Sequence, residues 1–295
     1  MQPKGNFHFQ PRARSHFPAT QHRDILNSVM THSDANTTAS AALAKVPAVT
    51  LLFWLIKIAA TTLGETGGDA VTMSWLGETT AHPVANGYLI GTGIFAAVFL
   101  FAVGLQIQAR RFNPWLYWFA ILASTTVGTT LADFADRSLG IGYSGGSAIL
   151  LALVLGTLWA WKRTLGTVAV ASVDSPRAEG FYWLTIMCSQ TLGTAIGDWV
   201  ADTQGLGYAG GMLIFGGALA VVAALRLTRK ASSTLLFWAA FILTRPLGAV
   251  LGDFLDKPLA QGGLDLSRAG ATLALLAFIV VAIVLFPQRA AQRSH

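Results

Sequence analysis

The segment Tyr182-Trp183-Leu184-Thr185-Ile186-Met187-Cys188-Ser189-Gln190-Thr191-Leu192-Gly193-Thr194-Ala195-Ile196-Gly197-Asp198 decides the fold, because its skeleton recurs three more times. An aromatic-Trp pair opens each copy: Phe53-Trp54, Tyr117-Trp118, Tyr182-Trp183 and Phe237-Trp238. Ten residues after each Trp stands Gly64, Gly128, Gly193 or Gly248, and five residues later Asp69, Asp133, Asp198 or Asp253. A fixed period of this kind marks one supersecondary unit used repeatedly.

The chemistry around the repeats is that of a membrane. The chain has 295 residues, 53% of them apolar and only 12% charged, against about 25% charged in an ordinary soluble domain. Mean hydropathy is +0.54. From Pro47 onward, apolar runs alternate with short polar breaks, predicting spans near 48–70, 87–109, 115–135, 145–162, 180–201, 208–226, 233–255 and 268–287. Each span needs about 20 residues. The expected fold is therefore an all-α membrane protein of eight transmembrane helices, arranged as four parallel two-helix repeats (about 48–110, 112–163, 178–227 and 232–288) in a domain covering 47–290. Residues 1–46 are polar, lack an apolar run and read as a disordered cytoplasmic tail. Met30 offers an alternative start.

Lysine and arginine placement predicts the orientation. Lys4, Arg12, Arg14, Arg23, Lys45, Arg110, Arg111, Lys162, Arg163, Arg177, Arg226, Arg229, Lys230, Arg289 and Arg293 fall on one side. The other side holds Arg137, Lys257 and Arg268. Both termini are expected in the cytoplasm, and the net charge of +6 is accounted for by topology, with no nucleic-acid partner. One Cys, Cys188, and six His exclude a disulfide framework and a Cys/His metal cluster. No Ser/His/Asp set or paired-His motif indicates an enzyme.

Helical spacing gives each odd span two faces. The small face reads Gly64/Gly68, Gly128/Ala132, Gly193/Gly197 and Gly248/Gly252, a pattern that lets helices approach closely in lipid. The polar face reads Thr61/Glu65/Asp69, Thr125/Thr129/Asp133, Gln190/Thr194/Asp198 and Arg245/Ala249/Asp253, with Lys57 one turn below Thr61. A charged residue at mid-span costs roughly 2.5–3.5 kcal/mol, so the stripes should face one another or a watery path. The Trp rows would mark the cytoplasmic interface, with the Asp rows about 22 Å away at about 1.5 Å per residue. Asp136, Asp202 and Asp256 add second acids at three helix ends.

Acids gathered at helix C-termini oppose the macrodipole and need protons, cations or counter-charges. Carboxylates and Thr hydroxyls suit hard cations such as Mn²⁺, Ca²⁺, Mg²⁺, Na⁺ or H⁺. The candidate cation or proton ligands are Glu65, Asp69, Asp133, Asp198 and Asp253, with a divalent cation as possible bound species and no other cofactor. Thr61, Thr125, Thr129, Gln190 and Thr194 would line the pathway. Lys57 and Arg245 would act as built-in counter-charges, or bind an anion. In a plainer reading the Asp residues cap helices and pair with Arg137, Lys257 or Arg268. Arg245-Pro246 predicts a break in the seventh span, and Gly67-Gly68 a weaker one in the first. The glycine turns 139–143 and 205–208, with a partial copy at Asn86-Gly87-Tyr88, would tighten outer hairpins and place Tyr in the interfacial belt. The remaining Trp residues read as anchors, and His82 as a solvated loop residue.

Leu63-Gly64-Glu65-Thr66, Gly128-Thr129-Thr130-Leu131-Ala132-Asp133, Gly193-Thr194-Ala195-Ile196-Gly197-Asp198 and Thr244-Arg245-Pro246-Leu247-Gly248 resemble a family of bacterial membrane-anchored proteins built from a four-fold repeat of unknown function. That resemblance implies a multispan protein of the bacterial inner membrane and no settled activity. Glu65-Thr66-Gly67-Gly68-Asp69 is also loosely similar to the Glu-x-Gly-Asp motif of cation/proton exchangers, with one residue more and no following Lys/Arg. The functional expectation is a transporter of a hard cation, with proton coupling as a variant. A non-transporting scaffold or sensor and an ion channel are the alternatives.

Overall fold

In the computed structural model, which describes residues 45–78, 86–229 and 231–291, the chain forms eight long helices and no strands among the described residues. They are α1 (Leu51–Asp69), α2 (Gly87–Gln108), α3 (Pro114–Asp133), α4 (Tyr143–Leu165), α5 (Pro176–Asp198), α6 (Gly207–Thr228), α7 (Ser233–Asp256) and α8 (Arg268–Leu285). Each odd helix starts at a side-chain cap that accepts from a free N–H: Thr50 from Phe53, Asn113 from Trp115 and Leu116, Ser175 from Ala178, Ser232 from Leu235. Pro114 and Pro176 occupy the first helical position, where the missing donor costs nothing.

The odd helices close into a ring: α1 packs on α3, α3 on α5, α5 on α7 and α7 on α1. Glycine sets this closure. A Cβ at Gly64 would collide with Thr125, at Gly128 with Gln190, at Gly193 with Arg245, and at Gly248 with Thr61. One turn on, Gly68 faces Thr129, Gly197 faces Ala249 and Gly252 faces Glu65. The small face of each odd helix thus receives the polar face of the next, four times around. Each even helix packs on the odd helix of the following repeat: α2 on α3, α4 on α5, α6 on α7 and α8 on α1. No repeat buries its own faces; neighbours do so.

The even helices turn apolar side chains outward, among them Leu100, Phe101, Leu213, Val221, Leu273 and Val281. Five helices, α2, α4, α6, α7 and α8, are long and apolar enough to cross a membrane. The other three, α1, α3 and α5, carry three of the four polar stripes; the fourth lies on α7.

Several expectations are corrected. The seventh helix does not break: α7 runs through Pro246 without interruption. Pro246 cannot donate to the preceding turn, but its Cδ lies against Gly193 of α5, and the Thr61 hydroxyl of α1 sits 3.1 Å from the Thr244 carbonyl. Neighbours on both sides pack against the helix at this point. Gly67-Gly68 likewise lies inside continuous α1. The irregularity falls later. After Asp69, Asp133 and Asp198 the chain widens into π-helical turns at Ala70–Trp75, Phe134–Ser138 and Trp199–Thr203. The fourth repeat instead runs to Asp256 and stops, because Pro258 forces Lys257 into extended backbone.

Three of the four repeat Trp residues are not outward anchors; Trp54 is half-buried. Trp118, Trp183 and Trp238 are buried, and the pairs interlock around the ring. Centroids are 5.4 Å apart for Phe53–Trp118, 5.9 Å for Tyr117–Trp183, 6.1 Å for Tyr182–Trp238 and 5.8 Å for Phe237–Trp54. Eight rings therefore close this end of the bundle. The Trp118 and Trp238 N–H groups donate to Gln288 and to the Val168 carbonyl, so burial leaves them satisfied.

The residues before α1 are packed as well. Lys45 and Val46, placed in the tail by composition, are buried, and Lys45 Nζ lies 2.6 Å from Glu179 of α5. Pro47 pairs with Ala290 in a β-bridge, joining the two ends of the helical unit. Residues 1–44 and His82 lie outside the described residues. The outer turns behave as expected: Gly140, Gly142, Gly205 and Gly207 have positive φ, and Asn86 takes the same role at φ 77°.

Candidate functional site

The ring has a polar axis that can be followed from the aromatic end. Lys57 comes first. It is fully buried, its ammonium lies 4.2 Å from the Phe241 ring centroid, and it has no hydrogen-bond partner among the described residues. One turn higher, Thr61 and Thr125 are spent on packing: the Thr61 hydroxyl meets the Thr244 carbonyl, and Thr125 donates to the Ala60 carbonyl at 3.2 Å. Gln190 Nε2 reaches Ser124 Oγ at 3.4 Å, leaving its Oε1 unpaired. These three residues join neighbouring helices.

Arg245 is the centre. Its Nη2 shares its two N–H groups among Glu65 Oε2 at 3.0 Å and the hydroxyls of Thr129 and Thr194; its Nη1 reaches the Thr61 carbonyl at 3.4 Å, and its Nε has no partner among the described residues. One guanidinium thus ties α7 to α1, α3 and α5. The fork of five N–H donors explains why Arg serves here. At the level where the other helices carry Glu65, Thr129 and Thr194, α7 has Ala249, and the Arg245 head reaches that level.

Above it lies the acidic tier. Asp69, Asp133, Asp198 and Asp253, one from each odd helix, are all buried. Carboxylate oxygens of Glu65, Asp198 and Asp253 lie within 4.8 Å of one another, as do those of Asp69, Asp253 and Asp256. The sequence-predicted acids therefore converge. They are also paired by cations that the sequence placed in outer turns. Lys257 Nζ stands 2.7 Å from Asp69 and 3.0 Å from Asp253. Arg137 contacts Asp133 at 3.1 Å and Asp198 at 3.6 Å. Arg268 binds Asp256 at 3.0 Å. Burial disfavours the Lys257 charge, but Asp253, Asp69 and Asp256 outweigh it and hold its pKa well above the ordinary lysine value. Arg137 is held charged in the same way by Asp133 and Asp198.

Pairing is incomplete. Asp69 Oδ1, Asp198 Oδ1 and Asp256 Oδ1 are buried with no hydrogen-bond partner among the described residues. Buried acceptors of this kind call for a proton, a water or a cation. Asp136 turns away from the axis toward Gly146 of α4, and Asp202 is exposed; neither joins the cluster. Asp202 instead lines an open cavity of about 780 Å³ above the acidic tier, together with Arg137, Tyr143, Tyr208, Lys257 and Arg268.

Arg137, Lys257 and Arg268 make the Asp pairs that the plainer sequence reading named; Tyr88 and Tyr143 are the site residues that sequence reasoning missed. Arg137 donates to the Tyr88 hydroxyl at 3.2 Å and to that of Tyr143 at 3.4 Å. These tyrosines support a guanidinium. For the cations the signal is spacing: Arg137 and Lys257 each stand four residues after a repeat Asp, one helical turn away.

The family model described as a repeat of unknown function (DUF347) matches residues 52–112, 116–167, 181–232 and 236–289. Its four copies coincide with the four structural repeats. No curated protein and no solved structure shows significant similarity to the chain. The chain belongs to the family built from this repeat of unknown function.

Proposed function

We propose that the protein is an integral membrane transporter, N-in and C-in, of the bacterial inner membrane, whose acidic tier binds a hard cation or protons. One observation carries the reading: Glu65, Asp198 and Asp253, from three different helices, present oxygens within 4.8 Å of one another inside the ring. Three carboxyl groups that close do not all ionise without a counter-charge. Arg245 supplies one charge to Glu65, and the unpaired Asp198 oxygen leaves room for a proton or small cation. Hard oxygen ligands favour Mn²⁺, Ca²⁺ or Mg²⁺ over soft metals. In this reading Arg245 and Lys257 are tethered cations that offset part of the acidic charge when no cation is bound, and the open cavity is the route from the acidic end.

The test is flux into proteoliposomes across a panel of divalent cations, with and without a pH gradient. The expected result is cation uptake coupled to proton movement, lost in Asp198→Asn. Folded protein that moves none of them would remove the proposal.

A second reading is a non-transporting scaffold. The ion pairs of Arg137, Lys257 and Arg268 with the acids and the interlocked aromatic end favour it. There Asp198→Asn lowers stability and there is no flux to lose.

A further inference from the structure

A second cavity, about 560 Å³, lies on the outside of the ring where α1, α6 and α7 leave a gap. Its walls are Trp54 and Ile58 of α1, Leu219 and Ala223 of α6, and Phe237 and Thr244 of α7. It is an apolar groove open toward the surface that the membrane reading assigns to lipid. Along α7 it runs from Ser233 to Thr244, about 16 Å at about 1.5 Å per residue. That is the hydrocarbon depth of one leaflet, half of about 30 Å.

The mouth of the groove carries a basic side chain, in the last turn of α6. Arg226 of α6 lines it, is exposed, and enters no ion pair among the described residues. Thr50 and Ser233, at the N-terminal ends of α1 and α7, line the same mouth. The Thr50 and Ser232 side chains each cap one N–H, that of Phe53 or Leu235, so the first N–H groups of both helices stay without intrahelical acceptors. Two positive helix ends and an unpaired guanidinium above an apolar slot complement an anionic headgroup attached to an acyl chain.

We infer that this groove binds an anionic phospholipid, with its phosphate at Arg226 and the two helix ends and one acyl chain against Trp54 and Phe237. The inference rests on the membrane part of the reading above and is independent of transport.

Trp54 supplies the readout. Purified protein is reconstituted into bilayers carrying phosphatidylglycerol or phosphatidylcholine brominated on the acyl chain, and tryptophan quenching is compared at equal mole fraction. The expected result is about fivefold preferential quenching by the anionic lipid, the factor that one basic side chain contributes at an anionic surface. Arg226→Gln should abolish the preference, and Trp54→Phe should remove the preferentially quenched component. Equal quenching by the two lipids, or a preference that survives Arg226→Gln, overturns the inference. A preference that survives Trp54→Phe overturns it too, because the lipid then sits elsewhere. Absence of quenching by either lipid would instead remove the membrane reading itself.

Discussion

Arg245 Nη2 lies 3.0 Å from Glu65 Oε2 at the centre of a four-helix ring, and the same nitrogen binds Thr129 and Thr194. Both partners are buried. Removing one charge leaves the other stranded, at a cost of about 3–5 kcal/mol. Glu65→Gln and Arg245→Gln should each lower the unfolding temperature in detergent strongly. Glu65→Leu combined with Arg245→Met removes both charges and should recover much of the loss. A double variant less stable than either single variant would mean that the guanidinium acts mainly through the two threonines.

The glycine rows give a prediction of opposite sign at matched chemistry. A Cβ at Gly128 would meet Gln190 Cβ at 2.8 Å and its backbone carbon at 3.0 Å, and one at Gly248 would meet the Thr61 backbone at 2.8 Å. Backbone cannot step aside cheaply. Gly128→Ala and Gly248→Ala should cost about 1–3 kcal/mol through overpacking, net of the ~1 kcal/mol that Ala gains over Gly in a helix. Gly104 and Gly216 have open space around them, so Gly104→Ala and Gly216→Ala should leave stability unchanged or raise it. Unfolding midpoints of the four variants decide the matter. Four equal shifts would show that close approach is not what these glycines provide.

Which parts of this arrangement were legible in the sequence follows from which forces are periodic. The ring was legible because glycine and acid recur at helical spacing, and that spacing assigns faces directly. The partner of each face was not. Gly64 reads as a generic packing site, yet it receives Thr125, a residue of the polar stripe, so the two faces are one interface seen from both sides. The Trp rows misled because a Trp near a helix start suits both a lipid interface and a closed end. Only the succession Phe53–Trp118, Tyr117–Trp183, Tyr182–Trp238 distinguishes them. The plainer reading pairs Arg137 and Lys257 with the Asp residues but leaves open which two acids each one bridges, since a long side chain hides where its head lands. The Pro246 break failed because tertiary contacts with Gly193 and Thr61 override a local preference.

Orientation is open to a labelling experiment. Thr164, in the last turn of α4, and Leu139, in the turn before α4, are both exposed, at opposite ends of that helix. In a Cys188→Ser background, Leu139→Cys should react with a membrane-impermeant maleimide in intact cells. Thr164→Cys should react only after permeabilisation, as the excess of Lys and Arg on its side requires. The reverse pattern would invert the topology and put the acidic tier toward the cytoplasm.

Lys257 tests whether the acidic tier accepts a free cation. Its ammonium contacts Asp69 and Asp253, which with Asp256 form the second set whose oxygens lie within 4.8 Å of one another. Lys257→Gln removes the ammonium and leaves acids uncompensated, so the variant should be less stable than wild type by about 3–5 kcal/mol. Mn²⁺ added to the variant then has a ligand set to fill. At a hundred times its dissociation constant it should return about 2.7 kcal/mol, while wild type, with the ammonium in place, should gain less. Because the pKa of Lys257 is held well above its ordinary value, its contribution in wild type is full below that ordinary value. It fades only as pH rises through the elevated one, so the comparison at neutral pH is made with the charge intact. A destabilised Lys257→Gln that no divalent cation restores would show that these carboxyl groups hold an internal ion pair and nothing from solution.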